Sequence, residues 1–117
     1  MSHKSHKRAR KQAEAAERAP LFAALGDPTR LLLIGRLADG RPRSITSLTG
    51  GSTLSRQAIT KHLRVLERAG MVRSSHAGRE SLFCFDPEPI EGMREYLGAV
   101  SRHWDEALAR LKAFVEE

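Results

Sequence analysis

The chain has 117 residues, which is enough for one domain with a modest core and too few for two independent ones. Its 20 Lys and Arg residues outnumber 14 Asp and Glu, and the resulting pI near 10.2 favours a polyanionic partner, either nucleic acid or an anionic membrane surface. A single cysteine excludes an internal disulfide and a cysteine-based zinc ribbon. Neither a membrane-spanning run nor a signal peptide is present in the sequence, so we expect a cytoplasmic protein without a membrane partner.

Positive charge is concentrated in two parts of the chain. Residues 41–80 contain eight Lys or Arg and two Glu, whereas residues 81–117 contain four basic and eight acidic residues. Residues 1–12 are basic and lack apolar periodicity, which predicts a disordered arm that is either a solvated tail or a contact to phosphates. Residues 13–117 are expected to form one domain.

Two helices are predicted before residue 40. The first is Ala- and Glu-rich and has Pro20 either at its start or as a break within it. The second begins at Asp27-Pro28, because Asp caps free amides and Pro fits the first helical position. It is expected to run to about Asp39 and to bury Leu31, Leu32, Ile34 and Leu37.

A short helix over residues 45–49, capped by Ser44, leads through a Gly-rich turn to the most informative segment. Ser55 is the expected N-cap of this next helix and Gly70 its C-terminal stop. The helix has an apolar face for the core, formed by Ile59, Leu63 and Leu66. Its opposite face is polar and almost free of acid, which favours contact with nucleic acid over an ordinary solvated surface, and it comprises Gln57, Thr60, Lys61, Arg64 and Arg68.

After this helix the apolar period changes from helical to extended. Residues 71–76 and 80–85 predict two strands of a hairpin with Arg79 near its tip. A short helix, a turn, a basic helix and a hairpin make a winged helix-turn-helix, in which the second helix enters the major groove. The predicted fold is therefore mainly α, with about five helices and a two-stranded β wing.

The last predicted helix begins near Ile90 and runs to the end of the chain. Its apolar residues alternate gaps of three and four, which is the pattern of paired helices, although a helix packed only on its own core is the alternative. We expect a homodimer through the terminal helices, with two recognition helices about 34 Å apart on an inverted repeat. The predicted interface consists of Met93, Leu97, Val100, Trp104, Leu108 and Leu111.

Three segments, residues 22–34, residues 55–72 and Gly78-Arg79-Glu80, resemble the ArsR/SmtB family of bacterial transcriptional regulators. The resemblance covers about residues 20–115 and implies a nucleoid-associated homodimeric repressor that releases its operator DNA when an effector binds. It assigns a wing contact to Arg79 and recognition-helix contacts to Ser55, Arg56, Gln57, Thr60, Lys61 and Arg64. Donor and acceptor chemistry agrees, since Gln pairs with adenine and Arg with guanine, while Lys and Ser suit phosphates.

The metal-sensing sites of that family are incomplete in this sequence. The positions of its thiolate pair correspond to Ser44 and Thr46, and the helical site retains only His103 and Glu106, with Ile90 and Gly92 at the other positions. We therefore expect no metal and no cofactor. A small-molecule effector of unknown identity remains open.

A second hypothesis is a nucleoid protein that binds nucleic acid through charge alone, with steep salt dependence and no sequence preference. Enzymatic activity is not expected, because the sequence contains no phosphate-binding Gly-rich loop, nucleophile elbow or paired-carboxylate motif.

Overall fold

The structure is a computed structural model that describes residues 3–116. Within these residues the chain forms five helices and a three-stranded antiparallel sheet. In chain order the elements are α1 (His3–Leu25), α2 (Pro28–Leu37), β1 (Arg43–Ser44), α3 (Ile45–Thr49), α4 (Arg56–Arg68), β2 (Val72–Ala77), β3 (Glu80–Phe85) and α5 (Glu88–Glu116). None of the helices described has an apolar stretch long enough to cross a bilayer.

Helix α1 begins earlier than the sequence predicts. The expected disordered arm over residues 1–12 is helical from His3 onward, and its first two residues lie outside the described part of the chain. Five of the ten residues 3–12 are Lys or Arg, and Ala9 and Gln12 add to them; the high helix propensity of these residue types explains why the segment is helical although it has no apolar face. Pro20 lies inside α1 rather than at its start. Residues 4–17 are exposed, so only the C-terminal part of α1 packs on the domain.

Helix α2 begins as predicted, and two of its four expected core residues, Leu37 and Ile34, pack in or against the core. Asp27 is its N-cap, and Leu33 and Leu37 are its buried residues. Leu31 and Leu32, which were expected in the core, are 54% and 68% exposed. Since 3.6 residues make one turn, residues 33 and 37 lie on one face and the two preceding leucines point away from it.

The caps of α3 and α4 are confirmed. The hydroxyl oxygen of Ser44 accepts from the amide of residue 47, and that of Ser55 accepts from the amide of residue 58 at 3.1 Å. Helix α4 ends at Arg68 with Ala69 as its C-cap, and the following Gly70 has a φ of 79°, in the left-handed region. The amide of Met71 then donates to the carbonyl of Leu66 at 3.0 Å, as in a Schellman motif. Strand β2 therefore follows α4 without a flexible linker.

The sheet has one strand more than predicted. Strand β1 pairs with β3 through Arg43 and Phe83, so the sheet order is β1-β3-β2. A two-residue strand has no period of its own that a sequence pattern could reveal, and it exists because β3 offers a free edge. The hairpin β2-β3 closes with a two-residue turn whose first residue, Gly78, has a φ of 63°. Arg79 is the second residue of this turn.

One core joins the elements. Its buried residues are Ala24, Leu33, Leu37, Leu48, Ile59, Leu63, Leu66, Met71, Val72, Phe83 and Met93. Met93 was predicted in the dimer interface, but it is only 4% exposed within its own protomer, because the first turns of α5 lie on the domain before the helix runs past it. Helix α1 also packs on α5, where the rings of Phe22 and Tyr96 have centroids 6.2 Å apart.

Candidate nucleic-acid interface

The outer face of α4 is exposed because its inner face is anchored in the core. Ile59, Leu63 and Leu66 are at most 2% exposed, which fixes the rotation of the helix about its axis. The residues predicted to contact DNA consequently lie on the solvent side. Thr60 is half-buried, and the exposed members are Ser55, Arg56, Gln57, Lys61 and Arg64.

The N-terminal end of α4 is held against α3. Arg56 donates from Nη1 to the hydroxyl of Thr46 at 2.9 Å, while the hydroxyl of Thr60 donates to the Arg56 carbonyl at 2.7 Å. The Ser55 hydroxyl satisfies only one of the free amides of this helix end. The remaining amides and the helix dipole make the end of α4 favourable for a phosphate.

Two adjoining concave surfaces connect α4 with the hairpin. One of about 530 Å³ lies between α3 and α4 and is lined by Ile45, Arg56, Gln57, Thr60 and Lys61. The other, of about 140 Å³, is lined by Ser44, Ile45, Thr46, Arg56, Arg79, Glu80 and Ser81. Because Arg56 lines both, the structure brings the wing residue Arg79 together with the start of the recognition helix on one continuous surface.

Arg64 is less free than its place on the helix suggests. Its Nη1 pairs with Oε1 of Glu67 at 2.8 Å, and its guanidinium carbon lies 5.5 Å from the ring centroid of Phe83. The hydroxyl of Ser74 on β2 donates to the other oxygen of Glu67. Hydrogen bonds from Ser74 and then from Arg64 lower the pKa of Glu67 by stabilising its carboxylate. These contacts direct Arg64 toward the wing.

Arg36, at the end of α2, is a residue that the sequence analysis missed. Its Nη1 donates to the carbonyls of Leu48 at 2.7 Å and Gly50 at 3.4 Å. Leu48 is in the last turn of α3 and Gly50 directly follows that helix, so the Arg36 side chain ties the end of α2 to the end of α3. The only sequence signal was a basic residue in the last turn of α2, where it is usually explained by the helix dipole.

A group of three polar residues, which includes the predicted cap Asp27, lies behind α4. The guanidinium of Arg30 is 3.2 Å from Nδ1 of His62 and also donates from Nε to the carbonyl of Ala24 in α1. The carboxylate of Asp27 is 3.7 Å from the same imidazole nitrogen. The hydrogen bond from the backbone amide of Arg30 lowers the pKa of Asp27, and the positive charge of Arg30 adds to this effect.

The distal part of α5 is apolar and uncovered by any described residue. Seven of its large apolar side chains are between 40% and 76% exposed, namely Leu97, Val100, Trp104, Leu108, Leu111, Phe114 and Val115. Five of the six residues predicted to form a dimer interface belong to this set, and Met93 is the exception. Together with Ala107, the residues Leu97, Val100, Trp104 and Leu111 keep the alternating three- and four-residue spacing along one side of the helix.

The positions that correspond to metal ligands in the family have other roles in this chain. Ser44 caps α3, and Thr46 accepts from Arg56. At Gly92 a Cβ atom would lie 2.4 Å from Nη1 of Arg18, so a guanidinium occupies the space beside α5 that a side chain would need. Among residues 3–116, no group of three His, Cys, Asp or Glu side chains is placed to hold a metal ion.

Comparison with known proteins agrees with this geometry. The family described as "Helix-turn-helix domain" matches residues 25–75. The chain is 37% identical over 79 residues to the uncharacterized HTH-type transcriptional regulator YuzN of Bacillus subtilis, covering 62% of this chain and 86% of the relative. It is 35% identical over 87 residues to the HTH-type transcriptional regulator Rv2034 of Mycobacterium tuberculosis, covering 74% of this chain and 78% of the relative.

Among solved structures, an ArsR-like transcriptional regulator from Rhodococcus sp. RHA1 has a TM-score of 0.71 at 36% identity, with 85% of this chain and 92% of that one covered. A second ArsR family transcriptional regulator, RHA00566, has a TM-score of 0.70 at 28% identity, with 77% and 92% covered. The fold, the exposed basic helix and these relatives agree. The chain belongs to the ArsR/SmtB family of winged helix-turn-helix proteins, which are DNA-binding transcriptional regulators and not enzymes.

Proposed function

We propose that the chain is a homodimeric repressor that binds an inverted-repeat operator. The observation that carries the proposal is the exposed apolar face of α5. A monomeric soluble protein rarely exposes seven large apolar side chains along one part of a helix, and such a set is typical of an interface. A second copy of the chain is the simplest partner, because a two-fold axis pairs the same face with itself.

Charge separation supports the same arrangement. Residues 41–80, which contain α4 and the wing, have eight basic and two acidic residues, whereas residues 81–117 have four and eight. A dimer paired through α5 keeps its acidic part away from the phosphates and turns two basic surfaces toward the duplex. Two such surfaces related by a two-fold axis fit half-sites about one helical turn apart.

Within each half-site we assign sequence reading to Arg56, Gln57 and Arg64, whose planar groups can form paired hydrogen bonds with base edges. Ser55, Thr60 and Lys61 are assigned to the backbone, where one hydroxyl or ammonium suffices for a phosphate oxygen. Arg79 is assigned to the phosphates or the minor groove beside the wing. The two concave surfaces share Arg56 and support a single footprint for the five of these residues that line them, namely Arg56, Gln57, Thr60, Lys61 and Arg79.

The test is selection of bound duplexes from a random library, followed by titration of the selected and a scrambled duplex across a salt series. We expect an inverted repeat, two protomers per duplex by sedimentation, and a preference that persists at moderate salt. Equal affinity for both duplexes that collapses with salt would overturn the proposal and favour a nucleoid protein that binds by charge alone.

Repression is tested separately by transcription in vitro from a promoter overlapping the selected site. A dimer bound across a promoter blocks polymerase by occupancy alone, so we expect transcript yield to fall as the site fills. A rise in transcript yield would contradict the repressor role without affecting the assignment of DNA binding.

A further inference from the structure

A cluster of Arg30, Asp27 and His62 links three helices on the side of α4 that faces away from solvent. Arg30 lies on α2, its Nε–H donates to the Ala24 carbonyl on α1, and its Nη1 meets Nδ1 of His62 on α4 at 3.2 Å. The side chain of His62 is 24% exposed, and it lies directly beside Lys61 and Leu63 in the chain. One guanidinium therefore joins the end of α1 to the recognition helix.

The chemistry of this contact fixes its direction. A guanidinium has donors only, so Nδ1 of His62 must accept and the imidazole proton resides on Nε2. Asp27 accepts the backbone amide of Arg30 at 3.0 Å, which fixes the backbone from which the guanidinium extends, and its carboxylate lies 3.7 Å from the same Nδ1. Because the Arg30 guanidinium donates to acceptors on α1 and on α4, it fixes both the distance and the angle between these two helices, which a single contact does not do.

We infer that Arg30 is a positioning residue, which holds α4 in the orientation needed to read DNA. This inference rests on the proposed function of α4. Helix α1 packs on α5 through Phe22 and Tyr96, so the bridge from Arg30 to His62 connects the proposed dimer layer to the recognition helix. Base edges discriminate only when the reading side chains are held to within about 0.5 Å. Phosphate contacts tolerate larger shifts, so loss of the bridge affects specific binding more than non-specific binding.

The experiment compares full-length variants on the selected duplex and on a scrambled duplex of equal length. Arg30→Met keeps the aliphatic stem without the fork, and His62→Leu removes the acceptor. His62→Asn places an amide oxygen near the position of Nδ1. Arg94→Met is the matched control, since Arg94 is 81% exposed and pairs at 4.0 Å with Glu91 on its own helix. Melting temperature and dimer dissociation constant are measured for each.

We expect the ratio of specific to non-specific affinity to fall about tenfold in Arg30→Met and His62→Leu, and no further in the double variant, because both remove one interaction. His62→Asn should retain most of the ratio, and Arg94→Met should leave it unchanged. The inference is overturned if both duplexes lose affinity equally, if the loss follows melting temperature or dimer dissociation, or if the double variant is additive. A wild-type chain without preference for any selected duplex would overturn the proposed function itself, before any variant is compared.

Discussion

Arg64 and Phe83 join the recognition helix to the wing, with the guanidinium carbon of Arg64 5.5 Å from the ring centroid of Phe83. Phe83 is fully buried in β3, so the ring is an immobile platform. A side chain of the DNA-contacting face is thereby ordered before DNA arrives, and ordering in advance reduces the entropy lost on binding. This relationship determines what replacement of Arg64 should do.

Arg64→Ala should lower affinity for the selected duplex by roughly 1–3 kcal/mol, because a lost bidentate base contact has about this effect. Arg64→Lys should restore little, since an ammonium cannot form the planar fork. Arg68→Ala, one turn further along the same exposed face, is the control. Fluorescence anisotropy titrations measure all three, and equal losses for Arg64 and Arg68 would show that Arg64 contributes only charge.

The two predicted roles of Ser55 can be separated by two substitutions. Ser55→Ala removes the bond to the amide of residue 58 and should lower the free energy of unfolding by about 1 kcal/mol. Ser55→Asp keeps the cap, so stability in urea should be retained, but it adds a carboxylate beside the phosphates and should weaken DNA binding. Undiminished DNA affinity in Ser55→Asp would place residue 55 outside the interface.

Arg79 should affect salt dependence rather than sequence preference. If it neutralises one phosphate from the tip of the wing, Arg79→Gln reduces the slope of log affinity against log salt by about 0.9. The preference for the selected duplex over a scrambled one should stay the same. Titrations at several salt concentrations provide both quantities, and an altered preference with an unchanged slope would contradict the phosphate assignment.

The apolar face of α5 predicts a change of oligomeric state. Trp104→Glu and Leu111→Glu each put a carboxylate where a partner helix is proposed, so the dimer dissociation constant should rise at least about a hundredfold. Arg102→Glu changes an exposed residue on the opposite side of α5 and should leave dimerisation intact. Sedimentation equilibrium distinguishes these results. A wild-type chain that is already monomeric would refute the proposed interface.

Glu67 predicts a specific dependence of stability on pH. Its pKa is lowered in the folded chain by hydrogen bonds from Ser74 and Arg64, so its ionised form stabilises the fold at neutral pH. This stabilisation is lost as the pH falls from the ordinary value of 4.5 through the lower folded pKa. Urea unfolding should therefore show a shallower acid decline in Glu67→Gln than in the wild type.

Asp27, Asp39 and Asp86 also have lowered pKa values, each with a backbone amide as the largest cause. Their contribution to stability is lost at low pH in both the wild type and Glu67→Gln, so the difference between the two curves of unfolding free energy against pH reports on Glu67 alone. Parallel curves would mean that the contacts of Glu67 do not persist in solution.

Features set by neighbouring residues could be predicted from the sequence. Ser55 and Gly70 delimit α4 through local caps, and the extended pattern that follows predicts the hairpin, although β2 extends one residue further than expected, to Ala77, so the turn has two residues rather than three. On α2 the burial of Leu37 was predicted correctly, but that of Leu31 and Leu32 was wrong, because Leu31 begins a run of four apolar residues in which several helical phases fit equally well. Tertiary contact with the core selected the phase that buries Leu33.

Contacts between distant residues could not be predicted. Arg30 and His62 are 32 residues apart, and each looks like an ordinary polar residue of its own helix. Strand β1 exists only as a partner of β3, so nothing within Arg43 and Ser44 indicates it. The outer face of α4 was predictable because amphipathicity alone determines which residues meet solvent, whereas the residues that hold α4 in place depend on the assembled fold.

The two-residue turn at Gly78 and Arg79 has a consequence for the timing of DNA engagement. A long, floppy wing would search many conformations after the recognition helix had docked, and its contact would form late. Here the pairing of β2 and β3 extends to Ala77 and Glu80 on either side of the turn, so the backbone position of Arg79 is fixed by the hairpin. Only the rotamers of one side chain remain to be ordered, and the wing can meet the duplex in the same encounter as the helix.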